Sequence, residues 1–336
     1  MTLLLPKSCK NVNFTELRLI LHVGLIFRRF ALNHILKPDS QPNRAKLKPV
    51  TGSASDAGEQ PVLKNLNNMI HPHTYIHPNA RLATNVKIDP FTVIHQDVEI
   101  GEGTWIGSNV TIMEGARIGK NCRIFPGAVI SAIPQDRKYA GERTTVEIGD
   151  NCTIREFVTI HRGTADKWKT VVGNNCWILA YSHIGHDCVI GENCTLSNSS
   201  QLAGHVVLGD WVGLGGVCAI HQFVHIGSHA FISGGSLVSK DVPPYIKAAR
   251  QPLTYAGVNS VGLKRRGFTI DKINHILEIY RVIYNKGMNT SQALEYLEEE
   301  FSATDERDEI VTFIRESGRG IIKRYSKNSV DEDIAD

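Results

Sequence analysis

The sequence predicts an all-β solenoid, a parallel β-helix of hexapeptide repeats, followed by a small helical domain. One observation is an aliphatic residue at every sixth position from residue 70 to residue 238, with two interruptions. A second is a small or β-branched residue four positions after most of these aliphatic residues. A fixed six-residue period is typical of a β-helix in which each hexad supplies one short strand and one turn, and three hexads close a triangular coil.

Both repeated positions face the interior, because side chains alternate between the two sides of a strand. A narrow prism leaves room only for small side chains at the second position. Six of the seven cysteines fall in this slot, and we interpret them as small core residues rather than as disulfides or metal ligands. They are Cys122, Cys152, Cys176, Cys188, Cys194 and Cys218.

The first 48 residues differ from the rest, since they carry nine basic side chains and only two acidic ones. This composition predicts an organelle transit peptide, mitochondrial or alternatively plastid, with a poorly ordered tail as the other interpretation. The apolar run at 17–36 is too short and too charged to span a bilayer, so we expect no transmembrane segment. Residues 49–68 include Gly52, Ser53, Ser55, Asp56 and Gly58 and are predicted to form a linker. The net charge of +3 gives no reason to expect a nucleic-acid partner.

Residues 69–245 are predicted to form the β-helix. Its interruptions, at 131–147 and around Asp166, replace inward aliphatic residues with charge and are expected to leave the prism as loops. The segment 241–245 contains two prolines and should end the β-helix, because proline cannot continue a strand ladder. Residues 246–336 are predicted to form a helical domain, with Thr269 as an N-cap candidate.

The coil period makes residues eighteen apart in sequence neighbours in space, so His186, Gly204 and Gln222 should share one edge. This edge has the groups that acyl transfer needs. His186 can act as a general base, Asp187 can fix its tautomer, and Gly204 can present a backbone N–H to a developing oxyanion. Further polar side chains are expected to orient the substrate: Asp136, Lys138, His161, His183, His205, His221 and Gln222. Because the core cysteines face inward, direct transfer is predicted rather than a covalent acyl-enzyme.

Seven segments carry a resemblance to a known family: QDRKYAGE (135–142), VTIHRGT (158–164), SHIGHDC (182–188), LAGHV (202–206), AIHQF (219–223), DVPPY (241–245) and GLKRRGF (262–268). From about residue 69 to about residue 322 the chain resembles the UDP-N-acetylglucosamine 3-O-acyltransferases of lipid A biosynthesis. The resemblance implies a left-handed β-helix, a homotrimer with sites between subunits, acyl carrier protein with its phosphopantetheine arm as donor, and neither a resident cofactor nor a metal.

The resemblance also implies roles for individual residues. His186 would remove the proton of the sugar 3-hydroxyl, with Asp187 beside it, and Gly204 would offer the oxyanion N–H. Positions matching contacts to the nucleotide or the carrier protein are Asn259, Arg265 and Arg266, and positions matching the end of the acyl groove are Ser233 and Gly234. Glycine at that end implies a long 3-hydroxyacyl chain, such as 3-hydroxymyristoyl. Two departures are Val261, where bacterial members often have an acidic residue, and Gly185, where alanine is more usual.

Two other classes remain open. One is a different hexapeptide-repeat enzyme, either an N-acyltransferase acting on a related sugar nucleotide or a trimeric zinc lyase. The lyase would use His161, His183 and His186 as ligands across an interface. The other class is a trimeric scaffold without catalytic activity.

Overall fold

The structure is a computed structural model that describes residues 69–325. The predicted transit peptide (1–48) and linker (49–68) lie outside the described residues. Twenty-seven short strands occur in the described part of the chain. They are β1 (Tyr75–Ile76), β2 (Arg81–Leu82), β3 (Lys87–Ile88), β4 (Val93–Ile94), β5 (Glu99–Ile100), β6 (Trp105–Ile106), β7 (Thr111–Ile112), β8 (Ala116–Ile118), β9 (Arg123–Ile124), β10 (Val129–Ala132), β11 (Thr145–Ile148), β12 (Thr153–Ile154), β13 (Thr159–His161), β14 (Lys169–Val172), β15 (Trp177–Ile178), β16 (His183–Ile184), β17 (Val189–Ile190), β18 (Thr195–Leu196), β19 (Gln201–Leu202), β20 (Val207–Leu208), β21 (Gly213–Leu214), β22 (Ala219–Ile220), β23 (His225–Ile226), β24 (Phe231–Ile232), β25 (Leu237–Val238), β26 (Ile246–Ala249) and β27 (Thr254–Val258).

Every third strand belongs to the same parallel sheet, so the chain winds around three faces as the six-residue period predicts. The first face runs from β1 through β4 to β25, the second from β2 through β5 to β23, and the third from β3 through β6 to β24 and β26. Within an uninterrupted coil, partners are eighteen residues apart, as with Ile184 and Leu202. The fold is a left-handed parallel β-helix with helices at its C-terminal end, which confirms the predicted fold class.

The aliphatic column fills the prism, and residues such as Ile94, Ile130 and Ile184 are fully buried. The small slot beside it has a second use that the sequence did not reveal. Cys176 Sγ lies 3.1 Å from the carbonyl oxygen of Gly191, and Cys194 Sγ lies 3.1 Å from that of Gly209. Thiols and hydroxyls in this slot therefore donate to corner carbonyls that accept no backbone hydrogen bond within residues 69–325. Further examples are Cys122, Cys152, Cys188, Cys218, Thr92 and Thr104.

Both interruptions of the repeat leave the prism at one corner. The first lies between β10 and β11 and the second between β13 and β14, so each connects the first face to the second. Strand β10 extends to Ala132, so the first loop begins slightly later than predicted. The turns between the first and second faces are called the first corner below. The second corner joins the second and third faces, and the third corner joins the third and first faces.

The β-structure continues beyond residue 245, so the prolines at 243 and 244 do not end the strand ladder as expected. Strand β26 pairs in parallel with β24, and β27 pairs with β26 in the antiparallel sense. Pro243 and Pro244 lie in the turn before β26, where no N–H is needed for a ladder. Proline therefore precedes the strand without ending the sheet.

Four helices occur in the described residues after this hairpin: α1 (Ser260–Arg265), α2 (Ile270–Asn285), α3 (Thr290–Glu300) and α4 (Asp305–Glu316). Thr269 caps α2 by accepting from the N–H of Lys272, as predicted. Helix α1 was not predicted, because six residues are too few to show a helical period. Tyr280 of α2 donates to the carbonyl oxygen of Pro244 at 2.6 Å, which ties the helices to the end of the β-helix. No described helix is both long enough and apolar enough to cross a bilayer.

The interior donors predict an order of stability for substitutions at Cys176. Cys176→Ser keeps a donor, whereas Cys176→Ala leaves the Gly191 carbonyl without a partner and should lower the free energy of unfolding by about 1 kcal/mol. Cys176→Val also adds bulk and should cost about 1–3 kcal/mol. Urea denaturation of the three variants measures this order. Equal stability of the Ala and Ser variants would show that the thiol hydrogen bond contributes nothing.

Candidate functional site

The first corner gathers most of the predicted site. His186 and Asp187 form the turn between β16 and β17, and Gly204 and His205 form the equivalent turn one coil later, between β19 and β20. Asp187 and His205 have φ angles of 60° and 62°, in the left-handed region that elsewhere in this helix is often filled by asparagine or glycine. Such angles are uncommon for other residues, and here the sharp corner imposes them.

The imidazole of His186 stands directly against Gly204. A Cβ atom built on Gly204 would come within 2.5 Å of both Nε2 and Cε1 of His186. The carbonyl oxygen of His186 accepts from the N–H of His205 at 2.9 Å, which fixes the register of the two coils. The predicted adjacency is thus confirmed, and only glycine at position 204 leaves space for the ring.

The backbone N–H of Gly204, a buried residue, has no hydrogen-bond acceptor among residues 69–325. The strand ladder does not use the N–H at this turn position. At the equivalent position of the second corner, an aspartate or asparagine side chain of the next coil accepts the N–H at 2.7 Å. The donors and acceptors are Lys120 and Asp150, Asp150 and Asn174, and Glu192 and Asp210. For Gly204, residues 69–325 supply no such acceptor. A Cβ on Gly185 would lie 2.8 Å from this nitrogen, so the unusual glycine there keeps the N–H uncrowded.

Asp187 is fully buried and accepts hydrogen bonds on both oxygens. Oδ2 accepts from His186 Nδ1 at 2.8 Å and from Thr164 Oγ1 at 2.7 Å, while Oδ1 accepts from the N–H of Thr164 at 2.9 Å and of Lys167 at 3.3 Å. Burial raises the pKa of Asp187, but the hydrogen bonds from Thr164 and His186 outweigh it and hold the pKa below its usual value. Since the carboxylate is ionised, Nδ1 of His186 must donate, and in the neutral imidazole the lone pair is therefore on Nε2, where a general base needs it.

His205 packs edge-on against His186, with ring centroids 5.0 Å apart, and stacks on Phe223 at 4.5 Å. Its Nε2 lies 3.7 Å from Asp187 Oδ2, and its Nδ1 lies 3.2 Å from Asp166 Oδ2 without good hydrogen-bond geometry. Burial lowers the pKa of His205 and outweighs the attraction of Asp187. The imidazole of His205 is therefore kept neutral beside the His186–Asp187 pair.

His161 and His183 form a second pair at the same corner, with ring centroids 4.8 Å apart and perpendicular planes. Burial, assisted by the nearby charges of His183 and His186, lowers the pKa of His161 to about 4. Burial also lowers the pKa of His183, whose Nδ1 lies 2.8 Å from Thr159 Oγ1. Nδ1 of His161 is buried without a hydrogen-bond partner in the described chain, so a neutral polar ligand group can pair with it.

The remaining predicted residues spread over all three corners. Asp136 and Lys138 lie on the loop between β10 and β11, and His221 and Gln222 lie one coil beyond Gly204, all at the first corner. Ser233 and Gly234 lie at the third corner, between β24 and β25. Within one chain the structure therefore does not bring the predicted end of the acyl groove to His186.

The residues predicted to contact the nucleotide or the carrier protein lie by the second corner or on the helix beside it. Asn259 is buried, donates to the carbonyl oxygen of His229 at 2.9 Å and caps α1. Arg266 donates to the carbonyl oxygen of Trp211 at 3.1 Å and lies over its ring. Arg265 is exposed. Asn259 and Arg266 thus have structural partners in this chain, and their substrate contacts stay predictions.

Sequence reasoning missed Thr164, Lys167 and Thr170. Thr170 Oγ1 accepts from the N–H of Asp187 at 2.8 Å. For Thr164 and Lys167 the signal was the interruption of the repeat, which marks a loop but gives no partners; Thr164 also ends the segment VTIHRGT. Thr170 lies in β14, in the small interior slot two residues before Val172. In the described part of the chain, one trio has metal-ligand spacing, with ligand atoms within 4.8 Å: His186, Asp187 and His205. The trio predicted for a zinc lyase, His161, His183 and His186, does not meet this spacing within one chain.

The depressed pKa of His161 predicts an acid-sensitive fold. The unfolded chain binds a proton near pH 6.5, whereas the folded chain binds it near pH 4, so stability is complete above about 6.5 and falls between 6.5 and 4. We expect His161→Gln to remove about 1–3 kcal/mol of this pH dependence, measured by urea denaturation at pH 7 and pH 5. The exposed His73→Gln is the control. An unchanged pH slope in His161→Gln would contradict this assignment.

Two parts of the chain match known family descriptions. Residues 97–132 and 169–204 match the bacterial transferase hexapeptide family, described as six repeats. Residues 241–322 match the second domain of the UDP-N-acetylglucosamine O-acyltransferase family. The first match includes His183, His186, Asp187 and Gly204 but not the two loops or His205, and the second covers the end of the β-helix together with the helices.

Individual proteins agree with these matches. An acyl-[acyl-carrier-protein]–UDP-N-acetylglucosamine O-acyltransferase of Xylella fastidiosa is 46% identical over 76% of this chain and 98% of its own length. A UDP-N-acetylglucosamine acyltransferase structure from Bacteroides fragilis is 49% identical, with a TM-score of 0.75, over 76% of this chain and 100% of that one. The Arabidopsis enzyme structure is 34% identical, with a TM-score of 0.63, over the same shares. The chain therefore belongs to the family of acyl-[acyl-carrier-protein]–UDP-N-acetylglucosamine O-acyltransferases.

Proposed function

We propose that the protein transfers a 3-hydroxyacyl chain, such as 3-hydroxymyristoyl, from acyl carrier protein to the glucosamine 3-hydroxyl of UDP-N-acetylglucosamine. This is a step of lipid A biosynthesis in the family. The observation that carries the proposal is the His186–Asp187 pair standing against Gly204 and its free N–H. The relatives' names supply the donor and the acceptor.

In the proposed reaction, Nε2 of His186 takes the proton of the sugar hydroxyl as its oxygen attacks the thioester carbonyl carbon. The new C–O bond forms and the carbonyl oxygen becomes an oxyanion, to which the Gly204 N–H donates. Collapse of this intermediate breaks the C–S bond, and the imidazolium returns the proton to the pantetheine sulfur. Asp187 stabilises the imidazolium throughout without taking the proton.

The burial of the Cys188 thiol favours direct transfer over a covalent acyl-enzyme. Cys188 follows Asp187 in sequence, but its side chain is buried and donates to the carbonyl oxygen of Ala203 at 3.1 Å. Burial raises the pKa of this thiol to about 12, so it is not a thiolate nucleophile near neutral pH. The proposed reaction needs no resident cofactor, because the thioester already activates the acyl group.

We further propose a homotrimer with each site shared between subunits. The support is geometric, since the residues assigned to the reaction and to its two substrates occupy three different corners of a single prism. A neighbouring copy can place its second or third corner beside the first corner of this chain. Light scattering coupled to gel filtration tests the assembly, and a monomer active at high dilution would contradict it.

For the N-terminal region we propose import into mitochondria, with plastids as the alternative. The support is the basic, acid-poor composition of residues 1–48. A fusion of residues 1–68 to a fluorescent protein, imaged with organelle markers, tests this proposal. Fluorescence spread through the cytosol would contradict it.

The decisive experiment incubates the protein with UDP-N-acetylglucosamine and 3-hydroxyacyl carrier protein and analyses the product by mass spectrometry. We expect an O-acyl product, and a loss of about 10²–10⁴ in kcat for His186→Gln because the general base is missing. His225→Gln, an exposed histidine on the second face, is the matched control and should keep wild-type activity. Unchanged kcat in His186→Gln would remove His186 from its role, and an N-acyl product or no turnover would favour the alternative classes.

A further inference from the structure

The second interruption of the repeat folds back onto the first corner. Its residues 162–168 leave after His161 and rejoin the second face at β14. A Cβ on Gly163 would lie 2.3 Å from the backbone nitrogen of Lys169, so only glycine lets the loop approach the strand this closely. The N–H of Gly163 donates to the carbonyl oxygen of Thr145 at 3.2 Å, which anchors the start of the loop.

This loop supplies every donor to Asp187 other than His186, within the described residues. Two are backbone N–H groups, of Thr164 at 2.9 Å and Lys167 at 3.3 Å, and both point at Oδ1. The third is the Thr164 hydroxyl, 2.7 Å from Oδ2. Oδ2 is also the atom that accepts from His186 Nδ1, so the hydroxyl and the imidazole share one oxygen.

Asp187 has a competing imidazole beside it. Nε2 of His205 lies 3.7 Å from the same Oδ2, against 2.8 Å for Nδ1 of His186. A modest rotation of the carboxylate would exchange one partner for the other. The Thr164 hydroxyl occupies a second acceptor direction of Oδ2 and thereby resists this rotation. Thr170 acts differently, because it binds the N–H of Asp187 and leaves the carboxylate untouched.

From this geometry we infer that Thr164 is a positioning residue: its hydroxyl holds the Asp187 carboxylate toward His186, which keeps Nδ1 of His186 protonated and Nε2 free. The inference deepens the proposed function and rests on it for its kinetic consequences. Its structural content, the tautomer of His186, can be measured without any substrate.

Thr164→Val removes the hydroxyl but keeps the shape of the side chain and the backbone N–H. We expect kcat to fall about tenfold or more, with KM for UDP-N-acetylglucosamine changed less than about twofold, because a hydrogen bond to a charged group is lost without a substrate contact. Thr164→Ser should restore kcat. Thr195→Val, an exposed threonine on the third face, is the matched control and should keep wild-type values.

The pH profile separates positioning from simple loop anchoring. The Thr164 hydrogen bond helps to lower the pKa of Asp187, so its removal raises that pKa. The acid side of the kcat–pH profile should therefore shift in Thr164→Val, because the state of the Asp187 carboxylate affects the imidazole that it accepts from. If Thr164 only anchored the loop, its replacement would lower the melting temperature and leave the acid limb of the kcat–pH profile, its fall on the acid side, unchanged.

The tautomer of His186 is read by ¹⁵N NMR of histidine-labelled protein, with its signal assigned through His186→Gln. We expect Nδ1–H alone in the wild type and a mixture in Thr164→Val. Thr164→Ala replaces the valine variant should the latter fail to fold. A single Nδ1–H tautomer in either variant, with wild-type kcat and acid limb, would overturn the inference. Absence of turnover by the wild type would instead count against the proposed function and leave the NMR result to decide the role of Thr164.

Discussion

The in-register stacking of short parallel strands is the constraint on which the rest of the structure depends. Each coil repeats the path of the last, so Ile184 lies beside Leu202 and the turn after one lies beside the turn after the other. A side chain at one turn is therefore held against the backbone of the next turn. The site uses this arrangement, since His186 rests on Gly204 and Asp187 sits where the sharp corner demands a left-handed backbone.

The corner also explains why the N–H that we propose as oxyanion donor is unpaired without a special motif. The ladder does not use the N–H at this turn position, and at the second corner an aspartate or asparagine side chain accepts the equivalent N–H. At Gly204 that acceptor is missing within the described residues, and Gly185 keeps the space beside the nitrogen open. The arrangement proposed for catalysis therefore comes from the repeat, with glycine in place of larger side chains at two positions and two loops added.

The sequence was sufficient to predict the positions of residues that belong to the six-residue repeat. The period placed His186, Gly204 and Gln222 on one edge, and the fold class was correct. It was insufficient for residues outside the repeat. Thr164 contacts Asp187 from a loop, and the six-residue period does not predict the contacts that a loop makes. Predictions made from the type of a single residue were also incomplete. Pro244 precedes a further strand, the core cysteines donate hydrogen bonds, and the predicted ligand residue Asn259 caps a helix too short to show a pattern.

The central claim is that transfer takes place between Nε2 of His186 and the N–H of Gly204. A crystal structure of the protein with its O-acylated sugar nucleotide product tests this most directly. The account predicts the ester carbonyl oxygen within about 3.2 Å of the Gly204 nitrogen, and the sugar 3-oxygen within hydrogen-bond reach of His186 Nε2. An ester bound at another corner of the prism, or one whose carbonyl points away from Gly204, would contradict it.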